Sequence, residues 1–195
     1  MTAGGPVEVP LFPLHTVLFP DGLLPLRLFE QRYLEMAKAC LRDGTPFGVC
    51  RIREGAEVGA PAAYESIGCL ATIAHWDMQQ LGLLQITARG QRRFRVVSDE
   101  VRAGSLIVGR VELLPEEVDA PLPEHLLVCQ QLLERVAAEH GERLFAKPYR
   151  FDSAVWVGAR LAEVLPLPGT AKQRLLELDG VSRLEALHQF IAQQS

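Results

Sequence analysis

VPLFPLHTVLFPDGLLPLRLFEQRYLEM, residues 9 to 36, strings together three apolar segments punctuated by prolines and ends in an abrupt helix start at Phe29-Glu30. From there Tyr33, Leu34, Ala37, Cys40 and Leu41 recur at helical spacing, and Asp43-Gly44 supplies a stop, so a helix is expected over about Glu30 to Arg42. The segments around that helix read as strands. Leu84, Ile86 and Ala88 alternate with Gln85, Thr87 and Arg89, and Phe94 and Val96 alternate with Arg93 and Arg95, the period of two of a half-buried strand. With Gly90-Gln91 between them, these two runs read as a hairpin. Phe47 to Ile52, Ile67 to Trp76 and Ile107 to Leu113 continue the pattern, and many short strands favour a closed or nearly closed barrel that leaves few edges open. The helix is expected to plug one mouth of it.

From Pro121 the period changes. Leu122, Leu126, Cys129, Leu133 and Val136 fall on one helical face, with prolines at the start and Gly141 read as the end. Further helices are expected over 153–165, 169–178 and 181–193, separated by Pro166, Pro168 and Gly180. The acidic, proline-bearing stretch Glu116 to Pro123 is the natural boundary, giving a strand-rich lobe over 1–117 and a helical lobe over 118–195.

Three stretches carry a resemblance to the amino-terminal, substrate-binding domain of the Lon protease family. They are residues 9–36; Glu65 to Pro115, with Gly68-Cys69-Leu70-Ala71 and then Gly90, Arg92, Arg93, Phe94, Arg95 and Val96; and Lys172 to Glu177 followed by Arg183-Leu184. The resemblance implies an α+β fold, a PUA-like and mostly antiparallel β-barrel lobe with one inserted helix, followed by a small C-terminal helical bundle. It also implies a role in engaging unfolded or degron-bearing polypeptide. Two departures stand out: Asp21 lies where the family usually has glycine directly after the proline, and His15-Thr16 replaces a more typical basic or polar pair.

Full-length Lon proteases carry nucleotide-hydrolysing and peptidase domains. The G-x-x-x-x-G-K-[ST] loop that cradles ATP phosphates does not occur in these 195 residues. The expectation is therefore a stand-alone, non-catalytic protein-binding module, an adaptor or regulator of proteolysis that works with a separate ATP-dependent protease. Composition agrees with a globular chain, with 48% hydrophobic and 23% charged residues. A net charge of −4 gives no general attraction to phosphate backbones or anionic membranes. Cys40, Cys50, Cys69 and Cys129 lack C-x-x-C spacing, and no local motif pairs them with His15, His75, His125, His140 or His188. Neither a metal, a cofactor, nor a catalytic residue is expected. No run approaches the roughly 18 apolar residues of a membrane span, and no leader is recognisable, which reads as a cytoplasmic, reduced protein.

Two surfaces are candidates for function. Pro61 and Tyr64 on a Gly/Ala/Pro-rich loop, with Trp76, Met78, Leu81 and Leu83 around the turn from Asp77 to Gly82, offer apolar anchors for a polypeptide. The alternative is RNA binding by Arg89, Arg93 and Arg95, although Asp99, Glu100 and Glu112 are close enough to neutralise them and few aromatic residues interleave for stacking. Glu30, Arg32 and Tyr33 read as a structural clamp at the strand-to-helix corner.

Overall fold

The computed structural model describes residues 5–80 and 82–193, of Gln79 the backbone alone. The chain divides into two units, the first ending at Pro115 and the second beginning at Glu116. The first holds strands β1 (Val7–Leu14), β2 (Leu23–Leu28), β3 (Phe47–Glu54), β4 (Ala63–Gln80), β5 (Leu83–Val101) and β6 (Ile107–Leu113), and helix α1 (Gln31–Asp43). Their order is β2-β5-β4-β3-β1-β6, and β6 also pairs with β5. The strands β5, β4, β3, β1 and β6 thus close a ring. All pairings are antiparallel except β1 with β3.

Strand β5 is long enough to serve two partners along one edge. Its residues 84–89 pair with β2, and residues 94–101 pair with β6. At the changeover sits Gly90, where an added Cβ would lie 2.0 Å from the carbonyl oxygen of Phe19. The Asp21 amide donates to the Gly90 carbonyl at 2.9 Å, and the Gly90 amide donates to the carbonyl of Gly22 at 2.8 Å. The expected hairpin at Gly90-Gln91 is therefore corrected: Leu84 to Val96 is one strand, whose true hairpin partner is β4. Glycine stands at 90 because the backbone of the β1–β2 connection comes to rest there, a close approach that from sequence looks the same as a turn.

Two hydrophobic clusters share these strands. Val9, Leu11, Cys50, Leu70, Phe94, Ile107 and Val111, drawn from all five ring strands, form the first. Gly48, Gly68 and Gly109 leave the room it needs; a Cβ at Gly48 would meet both Leu11 and Phe94 at 2.7 Å. The second cluster uses the opposite faces, with Phe12 and Leu14 of β1, Phe47 and Val49 of β3, Cys69 and Ala71 of β4, and Leu84, Ile86 and Ala88 of β5. Tyr33, Leu34, Met36, Ala37 and Cys40 of α1 belong to this second cluster. The helix contributes no residue to the first, so its apolar stripe is spent on the outer faces of the strands and not on a mouth of the ring.

The α1 start is tied down by polar contacts. The Arg32 guanidinium, 8% exposed, donates to the Glu30 carboxylate at 3.0 and 3.2 Å and to the Ser105 carbonyl at 3.1 Å. It also lies 4.7 Å from the centre of the Tyr33 ring, which stacks on Phe12 at 4.0 Å. Gly44, at φ 64°, closes the helix.

The second unit contains α2 (Leu127–Leu144), α3 (Ala154–Val164), α4 (Gly169–Glu177) and α5 (Gly180–Ala192). Leu126, Cys129 and Leu133 are fully buried, as their spacing predicts. The expected end at Gly141 is corrected: α2 runs on to Leu144, and Gly141 makes room for Tyr149, whose hydroxyl would be 2.9 Å from a Cβ there. Ser153 caps α3 by accepting from the Trp156 amide at 3.1 Å. Arg183 is fully buried. It donates to the carbonyls of Leu175 and Leu178 at 2.8 and 3.0 Å and forms a two-pronged pair with Glu117, 2.5 and 3.1 Å. The stretch Lys172 to Glu177 with Arg183-Leu184 is in this way the packing signature of the α4–α5 corner.

Candidate functional site

Beyond the ring, β2, β5 and β4 continue as a three-stranded sheet whose two faces differ. Register aligns Leu26 with Ile86 and Ile86 with Trp76, and aligns Leu24 with Ala88 and Ala88 with Ile73. Leu24, Leu26 and Ile73 are partly buried against the second cluster, so this face is a continuation of the core. Its outermost aligned side chain is Trp76, 54% exposed, and Met78, 42% exposed, follows it on the same strand at a second register shift. A register shift between Ile73 and His75 leaves Ala74 as one extra residue on β4. That bulge reverses the alternation, which is why the even-numbered Trp76 shares a face with the odd-numbered Ile73.

The opposite face is polar. Pro25, Thr87 and His75 line up across the three strands, as do Arg27, Gln85 and Asp77. These six line a groove of about 560 Å³ with Leu26 and Ile86 beneath. Nothing in the sequence reading singled out this groove. The alternating signal was present in each strand, but the register that brings three strands together is a tertiary property.

The expected polypeptide-binding residues are not all together. Trp76 and Met78 adjoin on β4, and the half-buried Leu83 begins β5 opposite Gln80. Leu81 lies outside the described residues. Tyr64 belongs to β4, where it pairs with Ile52, and not to the loop. Twelve residues of extended strand separate it from Trp76, roughly 35–40 Å. Its ring packs on the first cluster and its hydroxyl donates to Asp99, so burial, with Asp99 adding to it, pushes its pKa well up. Pro61 is exposed in the connection before β4. That connection folds back toward α1: Glu57 accepts from the His15 amide at 2.7 Å, and Glu30 accepts from the Gly59 amide at 3.3 Å.

Of the arginines of the alternative surface, Arg89 is held by an ion pair and Arg95 faces an acidic residue across the ladder. Arg89 pairs with Asp21 at 2.7 Å. Asp21 holds φ 62°, the left-handed conformation that glycine adopts freely, so the departure from the family pattern at this position comes with its own anchor. Arg95 stands opposite Glu112 in the β5–β6 ladder, and Arg92 donates to the Leu114 carbonyl at 2.9 Å.

The surroundings of three of the four thiols oppose activation. All four cysteines are free and buried. Burial pushes the Cys40 and Cys50 pKa values up and that of Cys129 to about 11, the reverse of what a nucleophile needs. Among the described residues no group of three or more His, Cys, Asp or Glu is placed to hold a metal ion, and no helix is long and apolar enough to cross a membrane.

Comparison with known proteins adds the context for this geometry. The chain is 26% identical over 180 residues to a Lon protease of Anaeromyxobacter dehalogenans, covering 88% of this chain and 21% of that protein. It is 27% identical over 115 residues to protein cereblon of Xenopus tropicalis, covering 57% of this chain and 25% of the other. The chain thus spans about a fifth to a quarter of the length of these relatives. Among solved structures, a Lon N-terminal domain protein from Xanthomonas campestris matches with a TM-score of 0.78 and 36% identity, over 94% of this chain and 98% of that one. The N-terminal domain of a Mycobacterium avium complex Lon protease shares the fold, with a TM-score of 0.65 and 18% identity over 95% and 98% of the two chains. A family model for the ATP-dependent protease La (LON) substrate-binding domain aligns with residues 8–193, and this α+β chain belongs to that family.

Proposed function

We propose that the chain is a non-catalytic module that recognises polypeptide and serves proteolysis as an adaptor or regulator beside a separate ATP-dependent protease, with Trp76 and Met78 as the anchors of the bound chain. The observation that carries this reading is the exposure of those two side chains at the end of an apolar sheet face. A tryptophan with half its surface open to water gains most from being covered by a partner, and such residues dominate binding interfaces. Leu24 and Leu26 extend the same face, so a bound apolar segment would meet a continuous surface. Buried thiols with raised pKa values support a binding role over a nucleophilic one, and four free cysteines suit a reducing compartment such as the cytoplasm. The pairing of Arg89 with Asp21 and the position of Arg95 opposite Glu112 count against RNA as the ligand.

The test is residue-resolved. Isotopically labelled protein is titrated with a permanently unfolded polypeptide and separately with single-stranded RNA, and backbone NMR shifts are followed. Shifts confined to polypeptide and centred on Trp76, Met78 and Leu26 are expected. Shifts at Arg89 to Arg95 with RNA alone would replace this reading with a nucleic-acid one.

A further inference from the structure

Resting on the reading of the chain as a polypeptide binder, we infer that the connection between β3 and β4, residues 55–62, is an autoinhibitory strap. Its Glu57-Val58-Gly59 lies in a second polypeptide site beside the start of α1, and an incoming segment with a longer apolar side chain displaces it. The site is a pit of about 40 Å³ with Phe12 of β1, Leu28 at the end of β2 and Tyr33 of α1 in its walls, all three buried. Phe29 and Val58 form its lip, 57% and 53% exposed. Two apolar side chains with more than half their surface in water thus stand where the second hydrophobic cluster comes to the surface.

Two polar tethers hold the strap, and a bound peptide can make both. The Glu57 carboxylate accepts from the His15 amide at 2.7 Å, and the Gly59 amide donates to the Glu30 carboxylate at 3.3 Å. In each a side chain meets a backbone N–H, so neither depends on strand pairing. The three residues are held as an acidic side chain, an apolar side chain and a backbone N–H in succession, an order that any extended chain can copy. Glu30 keeps its pair with Arg32 at 3.0 Å whichever chain supplies the N–H, because a carboxylate has lone pairs for both.

The strap is an imperfect occupant of the pit. Gly55 at φ 109° and Gly59 at φ 94° bracket Ala56-Glu57-Val58, and glycine passes through such backbone angles at little steric cost, so the bracketed residues can swing out. The Gly59 bond is long, and Val58 leaves half its own surface open and part of the pit unfilled. Valine has no atom beyond Cγ, whereas leucine reaches further and gains the contacts that the unfilled space denies Val58. Charge does not select the occupant. Glu30 and Glu57 around the pit are matched by Arg27 and Arg32, so apolar length is what the site reads.

A peptide copied from the strap tests this. A serine-rich peptide carrying Glu-Leu-Gly, with Glu-Ser-Gly as control, is added to isotopically labelled protein, and backbone NMR shifts give both the site and Kd. The leucine peptide is expected to shift Phe29, Tyr33 and Gly59, and the control to shift none of them. Val58→Ser weakens the strap's hold and should tighten peptide binding about fourfold, the worth of one covered methyl group, whereas Val58→Leu should weaken it by about as much. Glu57→Ala, which releases the His15 tether, should act in the direction of Val58→Ser. Both positions are on the exposed strap, and the amide spectrum of each variant verifies its fold. The reverse order would make Val58 part of the binding surface, and equal Kd values would leave the strap a purely structural role; either overturns the inference. If the unfolded polypeptide still shifted Trp76 in that case, the anchor reading would stand alone; if neither ligand shifted any residue, both would fall.

Discussion

Removing the Trp76 side chain separates a binding role from a structural one. At 54% exposure, a side chain of roughly 250 Å² leaves about 135 Å² in water. Full coverage of that area at ~25 cal/mol/Å² is worth about 3 kcal/mol, an upper limit. Ordering the partner and the loss of its freedom take back part of it, leaving about 2 kcal/mol, or roughly thirtyfold in Kd. Trp76→Ala should therefore weaken binding of a reduced, alkylated polypeptide about thirtyfold by isothermal titration calorimetry. Met78→Ser should weaken it less, and Trp76→Phe should retain most of the affinity. The buried remainder of the side chain, about 115 Å² at ~25 cal/mol/Å², bounds the loss of stability at about 3 kcal/mol, so urea unfolding is measured alongside to confirm that Trp76→Ala is folded under the binding conditions. Equal affinity of the parent and Trp76→Ala for the unfolded chain, with the fold intact, would refute the reasoning and send the search to another surface.

Three further perturbations test the framework that presents the site. Asp21→Ala places a side chain without a local partner at φ 62° and releases Arg89, and should cost about 1–2 kcal/mol, whereas Asp21→Gly relieves the backbone and should stay within about 0.5 kcal/mol of the parent; chemical denaturation separates the two. Gly68→Ala would set a Cβ 2.3 Å from the Val49 carbonyl oxygen, 2.8 Å from Phe94 and 2.9 Å from the Cys50 sulfur, so a loss of about 3 kcal/mol or failure to fold is expected, and a soluble variant with parental stability would contradict the packing described for the ring. Burial pushes the Glu163 pKa up to about 7 against the opposing pull of Arg160, Lys172 and Arg183. Because the folded value lies above the ordinary 4.5, the folded state holds the proton more tightly, and the stability this adds at low pH is lost as pH rises from about 4.5 through 7. Glu163→Gln should flatten that decline by up to about 3 kcal/mol, read from unfolding curves at pH 5 and 8 with Trp156 fluorescence as the reporter.

The parts of the fold that follow from local periodicity could be read directly. Leu126, Cys129 and Leu133 lie 3 or 4 residues apart and are buried together, and Ser153, Gly44 and the prolines mark boundaries because their backbone preferences act within a few residues. Where a residue answers to something distant in sequence, the local reading fails. Gly90 and Gly141 look like punctuation, yet one yields to the Phe19 backbone and the other to Tyr149. Arg183 carries a charge that composition assigns to the surface, and only the meeting of Glu117 with two carbonyls makes its burial tolerable.

The same distinction explains why the family resemblance located the fold better than the site. The residues that carry the resemblance sit at points where the chain must meet itself. Arg32 and Tyr33 pin α1 to Glu30, Ser105 and Phe12; Gly90 receives the β1–β2 connection; Arg183 closes the α4–α5 corner. Substituting any of them changes folding before it can change binding. Trp76, Asp77 and Met78 lie between the quoted Gly68–Ala71 and Gly90–Val96 elements, on the part of the sheet that extends past the ring. Their arrangement depends on the extra residue Ala74, which rotates β4 so that Trp76 meets the apolar face while His75 and Asp77 meet the groove. Deleting Ala74 should turn the polar pair onto the second cluster and carry Trp76 to the groove side, so polypeptide binding, read by calorimetry, should fall at least as far as in Trp76→Ala. A bulge in one strand is thus the feature that lets a single sheet present Trp76 on its apolar face and His75 with Asp77 on its polar one.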